Sequence, residues 1–271
     1  MSRSWFAFLF VLSTVFSFAQ TEIPLINDSS TTMTTPTQLR RIEPPSANAS
    51  VAELEQRGDI LRAEKYYADA IDYYEVAIKK SPTPSELYNK EGIAQLLMMH
   101  FSEAKHLFER AIKTNRNFSQ ATNNLGVVYY NTRNYGKATK YYRKAISINA
   151  DSASFHSNLG TAYFAQRKYD KATQEYATAL SLDPDIFERR SQSGITAQMS
   201  SPEERARYSY VIAKMFATRG DADRCLLYLK KAMEEGYKVA EGFQKDHEFV
   251  SFRKDPRFLS LLNHGPIPLP N

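Results

Sequence analysis

Between residues 51 and 186, small, apolar and aromatic positions return every 34 residues. Gly58, Gly92, Gly126 and Gly160 carry the period. Twelve residues after each stands an alanine (Ala70, Ala104, Ala138, Ala172), four further on a large ring (Tyr74, Phe108, Tyr142, Tyr176), then a second alanine (Ala77, Ala111, Ala145, Ala179). This period is the length of one helix-turn-helix pair, a unit that buries its apolar face only by stacking on a copy of itself. The pattern predicts four such pairs, at residues 51–84, 85–118, 119–152 and 153–186.

Glycine inside a helix costs about 1 kcal/mol relative to alanine, so four recurrences point to close helix approach. The alanine methyl is expected opposite each glycine, with the large ring filling the groove towards the next unit. Pro82 and Pro184 close the second helices of the outer units, since proline lacks an amide donor and displaces the residue before it from helical geometry. Asn115 with Asn117, and Asn149 with Asp151, make the corresponding turns in the inner two.

These residues resemble the tetratricopeptide repeat (TPR) family, whose first helix carries a W, L, G, Y pattern and whose second carries A, F, A, P. The fit is best at Leu125, Gly126, Tyr129, Ala138, Tyr142 and Ala145, and at Leu159, Gly160, Tyr163, Ala172, Tyr176, Ala179 and Pro184. Leu54, Tyr88, Thr122 and His156 replace the tryptophan. The resemblance implies an all-α, right-handed superhelix, or α-solenoid, that binds a protein or peptide partner along its concave face. Carried over by position, that groove comprises Asn89, Ile93 and Leu96, then Asn123, Val127 and Tyr130, then Ser157, Thr161 and Phe164, with Leu97 and Asn131 beside them. The family's carboxylate clamp is not expected, because its basic positions hold Glu55, Asp59, Glu86, Gln120 and Asn124, with Lys90 alone cationic.

Past the fourth unit the pattern decays. Residues 187–200, around Gly194, read as a degenerate connector. A further irregular hairpin is expected at 201–237, with Ser201, Pro202 and Glu204 as a capped helix start. Cys225, Leu229 and Ala232 take the alanine, ring and alanine positions, Ala213 takes the glycine's, and Gly236 closes the second helix. Residues 238–271 form the expected cap, short helices broken at Gly242 and at Asp255 and Pro256.

At the other end, Arg3, the apolar run from Trp5 to Phe18, and Ser17 and Ala19 read as a signal peptide over residues 1–19, with Gln20 as the mature start. An uncleaved anchor is the alternative reading. Residues 20–50 are rich in Ser, Thr, Pro and Asn and are expected to be a disordered tether. The expected location is exported, periplasmic or secreted. Cys225 is the single cysteine, so no intrachain disulfide exists; a buried inert thiol is expected, an intermolecular disulfide being the other reading.

Composition adds one feature. Residues 110–150 contain no Asp or Glu but carry Arg110, Lys113, Arg116, Arg133, Lys137, Lys140, Arg143 and Lys144. Lys137, Lys140 and Lys144 share a helical face, either a solvated convex surface or a basic ridge that attracts an acidic protein, anionic lipid head groups or a polymer of the cell envelope. Nucleic acid is not an expected partner of an exported chain. His100 and His106 lack the spacing of paired metal ligands, and Asp246, His247 and Glu248 point in different directions if helical. No metal, cofactor or catalytic constellation is expected, so the sequence argues for a non-enzymatic interaction scaffold.

Overall fold

The computed structural model describes residues 43–187 and 201–265. The expected signal segment, nearly all of the tether, the region around Gly194 and the final residues lie outside that range. The described residues form helices and turns without strands. Four hairpins come first: α1 (Val51–Ala63) with α2 (Tyr67–Lys80), α3 (Ser85–Leu97) with α4 (Phe101–Thr114), α5 (Ser119–Asn131) with α6 (Tyr135–Ile148), and α7 (Ala153–Ala165) with α8 (Tyr169–Leu182). The second helix of each packs on the first helix of the next, and successive first helices touch one another. A fifth hairpin, α9 (Pro202–Thr218) with α10 (Ala222–Glu234), is followed by α11 (Val239–Lys245), a 3-10 turn at His247–Phe252, and α12 (Pro256–His264).

The repeat glycines have a more specific reason than expected. A methyl built on Gly58, Gly92, Gly126 or Gly160 would lie 2.6, 2.7, 2.6 or 2.6 Å from a ring carbon of Tyr74, Phe108, Tyr142 or Tyr176. Each ring is fully buried and lies on the glycine of its own hairpin, and it also packs towards the next unit as expected, Tyr176 meeting Tyr208 of α9 at 5.4 Å. The alanines are fully buried too, allowing the approach. The ring replaces the contacts a side chain would have made, which offsets the glycine's cost.

A second regularity is in the turns. Lys65, Met99, Arg133 and Arg167 end the first helix of each unit at φ of 69°, 63°, 58° and 60°. In each, two amides turn back on the helix, as when Arg133 N donates to Tyr130 O at 2.9 Å and Asn134 N to Tyr129 O at 2.8 Å. This closing motif usually takes glycine. The fifth hairpin obeys the preference with Gly220 at φ 73°, and Gly236 closes α10 in the expected left-handed form at φ 90°.

Helix starts follow local chemistry. Ser50 and Glu53 exchange two bonds across the first turn of α1, Ser50 N donating to Glu53 Oε2 at 2.7 Å and Glu53 N to Ser50 Oγ at 3.3 Å. At α9 only the outward half of the expected pair forms, Glu204 N donating to Ser201 Oγ at 3.1 Å.

Cys225, Leu229, Ala232 and Ala213 are fully buried in the fifth hairpin. Gly242, expected to break the tail, is inside α11, and the break comes at Asp246. A methyl on Gly242 would stand 2.1 Å from the Tyr210 hydroxyl, so close packing and not termination sets its identity. Phe243, Phe249 and Phe258 are fully buried, with ring centroids 5.0 and 5.7 Å apart from Phe243.

Candidate functional site

The inward helices α3, α5 and α7 bring the nine expected groove residues together, and most are covered. Val127 and Asn123 have no exposed surface, Thr161 and Phe164 are 4% and 3% exposed, and only Ile93 is more than marginally accessible. The amides expected to meet a peptide backbone are engaged between units. Asn124 Nδ2 donates to Asn89 Oδ1 at 3.0 Å, Asn158 Nδ2 to Asn123 Oδ1 at 3.0 Å, and Asn123 Nδ2 to Asn124 Oδ1 at 3.3 Å. This chain of amides satisfies groups that would otherwise be costly to bury.

The aromatic row is likewise taken up. Phe164 meets Tyr169 edge-on at 5.2 Å and Tyr208 of α9 at 6.4 Å. Tyr130 lies against Tyr135 at 5.3 Å, and burial, then the nearby Tyr135 and Glu204, push its hydroxyl pKa upward. Ser157 is buried, its carbonyl accepting from Thr161 Oγ1 at 2.9 Å. Leu96 is 6% exposed, while Leu97 beside it is 40% exposed.

The accessible part of the inward face lies one unit earlier, a displacement the sequence did not reveal. Ala52, Glu55, Gln56, Asp59, Ile60 and Ala63 of α1, with Lys90 of α3, line an open depression of about 440 Å³. Lys90 Nζ reaches Glu55 at 2.6 Å and Asp59 at 2.5 Å. Asp59 also accepts from the Tyr74 hydroxyl at 2.8 Å. Burial would raise the Asp59 carboxyl, but the bonds from Lys90 and Tyr74 outweigh it and hold its pKa below the usual value. Ile60 stays 40% exposed beside this charged group.

Lys137, Lys140 and Lys144 are all exposed on α6, and none pairs with an acid among the described residues. Lys137 lies over the Tyr129 ring at 5.2 Å, and Tyr129 stacks on Tyr141 at 5.3 Å. Several other candidate side chains are engaged in pairing or packing. His156 joins α7 to α8, its Nδ1 lying 2.7 Å from Glu175, whose hydrogen bond raises the imidazole pKa. Asp246 and Glu248 converge on Lys214, at 2.8 and 3.1 Å, against the expectation that the triplet diverges, because Asp246 caps a 3-10 turn and the three do not share an α-helix; the exposed His247 lies 3.4 Å from Glu248. Burial pushes the Cys225 thiol up to about 12, away from reactivity. Among the described residues no group of three or more His, Cys, Asp and Glu side chains could hold a metal ion, and no helix is long and apolar enough to cross a membrane.

Comparison with known families matches residues 121–255 to the fourth ARM domain of tetratricopeptide repeat protein 21. Among solved structures, MamA is 22% identical, the likeness covering 68% of this chain and 96% of that one with a TM-score of 0.46. MamA from Desulfovibrio magneticus RS-1, from its residue 41 onward, is 16% identical, with coverages of 70% and 97% and a TM-score of 0.49. YrrB, described as a TPR protein with an unusual peptide-binding site, is 17% identical, with coverages of 69% and 87% and a TM-score of 0.45. No curated protein matches the chain. With its 34-residue hairpins, the chain is a TPR-like helical repeat protein.

Proposed function

We propose that this chain is a non-enzymatic scaffold that holds a peptide segment of a protein partner on its inward face, in an extracytoplasmic compartment. The observation that carries the reading is the open depression between α1 and α3, where exposed Ile60 adjoins Glu55, Gln56 and Lys90. An apolar side chain of the partner would rest on Ile60. Its backbone or polar groups would meet the amide of Gln56 and the ion pair formed by Lys90. Recognition is by shape and hydrogen bonding, without covalent chemistry. Export is argued from the first 19 residues alone.

The test places a photo-crosslinking residue at position 60 of the full chain and another at Val250, which is 57% exposed on the cap. A partner crosslinked from position 60, absent from position 250 and lost from a separate Ile60→Glu chain supports the reading. Equal labelling from both positions, or capture undiminished by Ile60→Glu, overturns it. Sequencing the amino terminus of the mature protein tests export separately, with Gln20 as the expected first residue.

A further inference from the structure

Two choices in the third and fourth units run against local stability, and both put positive charge on the same edge. The left-handed position that ends α5 and α7 is held by Arg133 and Arg167, where glycine would relieve the backbone. In the first turn of α6 and α8 stand Lys137 and Lys171, at the position where the first two units carry Asp69 and Glu103. A helix amino terminus favours acids and disfavours lysine.

The two turns are neighbours in space. Gln166, closing α7, donates from Nε2 to Thr139 Oγ1 at 2.7 Å and to Tyr135 O at 3.3 Å in the first turns of α6. Arg133, Lys137, Lys140, Arg167, Lys168 and Lys171 are all exposed here. None forms an ion pair with a described residue, although Asp170 lies among them in sequence. Tyr129 and Tyr163 lie beneath Lys137 and Lys171 at 5.2 and 5.8 Å. The arrangement therefore repeats from one unit to the next, with partly exposed phenols beside the cations.

From this we infer that the turn edge of the third and fourth units is a docking surface for an acidic polypeptide segment, distinct from the inward face. Carboxylates spaced along a flexible segment would meet cations presented at successive turns, with tyrosine hydroxyls as additional donors. An acidic segment is favoured over a bilayer because no large exposed apolar side chain belongs to the turns of the third and fourth units; Met99 and Tyr66 stand at the corresponding turns of the second and first units, outside the cationic stretch. These two turns therefore present no large exposed aliphatic side chain to enter acyl chains.

Fluorescence anisotropy of a labelled short poly-glutamate peptide with the full chain tests the inference. Binding is expected to weaken as salt rises from about 50 to about 250 mM, and to fall about five- to tenfold in an Arg133→Gly, Arg167→Gly double variant. Glycine suits both left-handed backbone positions, so this variant is expected to keep or raise its thermal midpoint, and a loss of binding is not a loss of fold. Lys137→Gln with Lys171→Gln should give a similar loss, and Lys254→Gln, on the cap, none. Undiminished binding by either double variant, or an equal loss with Lys254→Gln, overturns the site. Binding to phosphatidylcholine vesicles containing about 30% phosphatidylserine without binding to the peptide overturns the occupant.

Discussion

At the scale of single residues, the four units pair the ring on each second helix with the residue fifteen positions earlier, and polarity usually matches. Asp59 accepts from Tyr74 at 2.8 Å, Thr161 lies 3.3 Å from the Tyr176 hydroxyl, and Ile93 precedes Phe108, which has no hydroxyl to satisfy. Val127 breaks the rule, leaving the Tyr142 hydroxyl buried without a partner. Tyr142→Phe is accordingly expected to raise unfolding stability by about 1 to 3 kcal/mol. Tyr74→Phe, which strands the Asp59 and Arg62 contacts, is expected to lower it by about 1 kcal/mol. Urea denaturation of the two variants checks the opposite signs; a loss in both would mean that Tyr142 has a partner in solution.

At the scale of elements, the turn is the place where backbone and side-chain preferences part company. Its two closing bonds recur in every unit whatever residue occupies the left-handed position. For a side chain without a contact to defend, the conformation is a net cost of about 1 kcal/mol. Met99, which is 71% exposed, is such a case. Met99→Gly is expected to raise stability by about 1 kcal/mol and the thermal midpoint by a few degrees, read by circular dichroism. An unchanged or lowered midpoint would show that the methionine makes a stabilising contact.

What the sequence made legible was volume. Gly126, Ala138, Tyr142 and Ala145 recur because they leave a repeating imprint of absent and present side chains, and that imprint is the fold. The left-handed turns left none, because Lys65, Met99, Arg133 and Arg167 are not turn residues by type. Gly242 was misread for the converse reason: glycine in a weak pattern looks like a helix break, and the Tyr210 hydroxyl that requires it comes from 32 residues away. The amides expected in the groove lie on the first helices, and a single sequence cannot show that Asn89 and Asn123 are already bonded to the following unit.

At the scale of the whole molecule, the units are coupled through contacts that need not all survive the same conditions. Glu91 sits between the first two units, at the position where the third and fourth carry Leu125 and Leu159, and is 7% exposed. Burial, then the charge of Glu75, pushes its pKa up to about 7, with Arg110 opposing. A folded-state value above the unfolded one means that this group's contribution is fully present below about pH 4.5 and is lost as pH rises through about 7. Glu91→Gln is therefore expected to exceed the parent chain by about 1 to 3 kcal/mol at pH 8 and to match it near pH 4.5. Paired denaturation curves at the two pH values check this, and a pH-independent difference would contradict it.

The fastening of the tail bears on how such a chain can change length. Tyr210 seated on Gly242, and Lys214 held by Asp246 and Glu248, spend a face of α9 on the short helices that follow the fifth hairpin. A hairpin duplicated upstream of Pro202 would therefore meet a matching seat on its neighbour, whereas one inserted after α10 would first have to displace α11 and the 3-10 turn from that face.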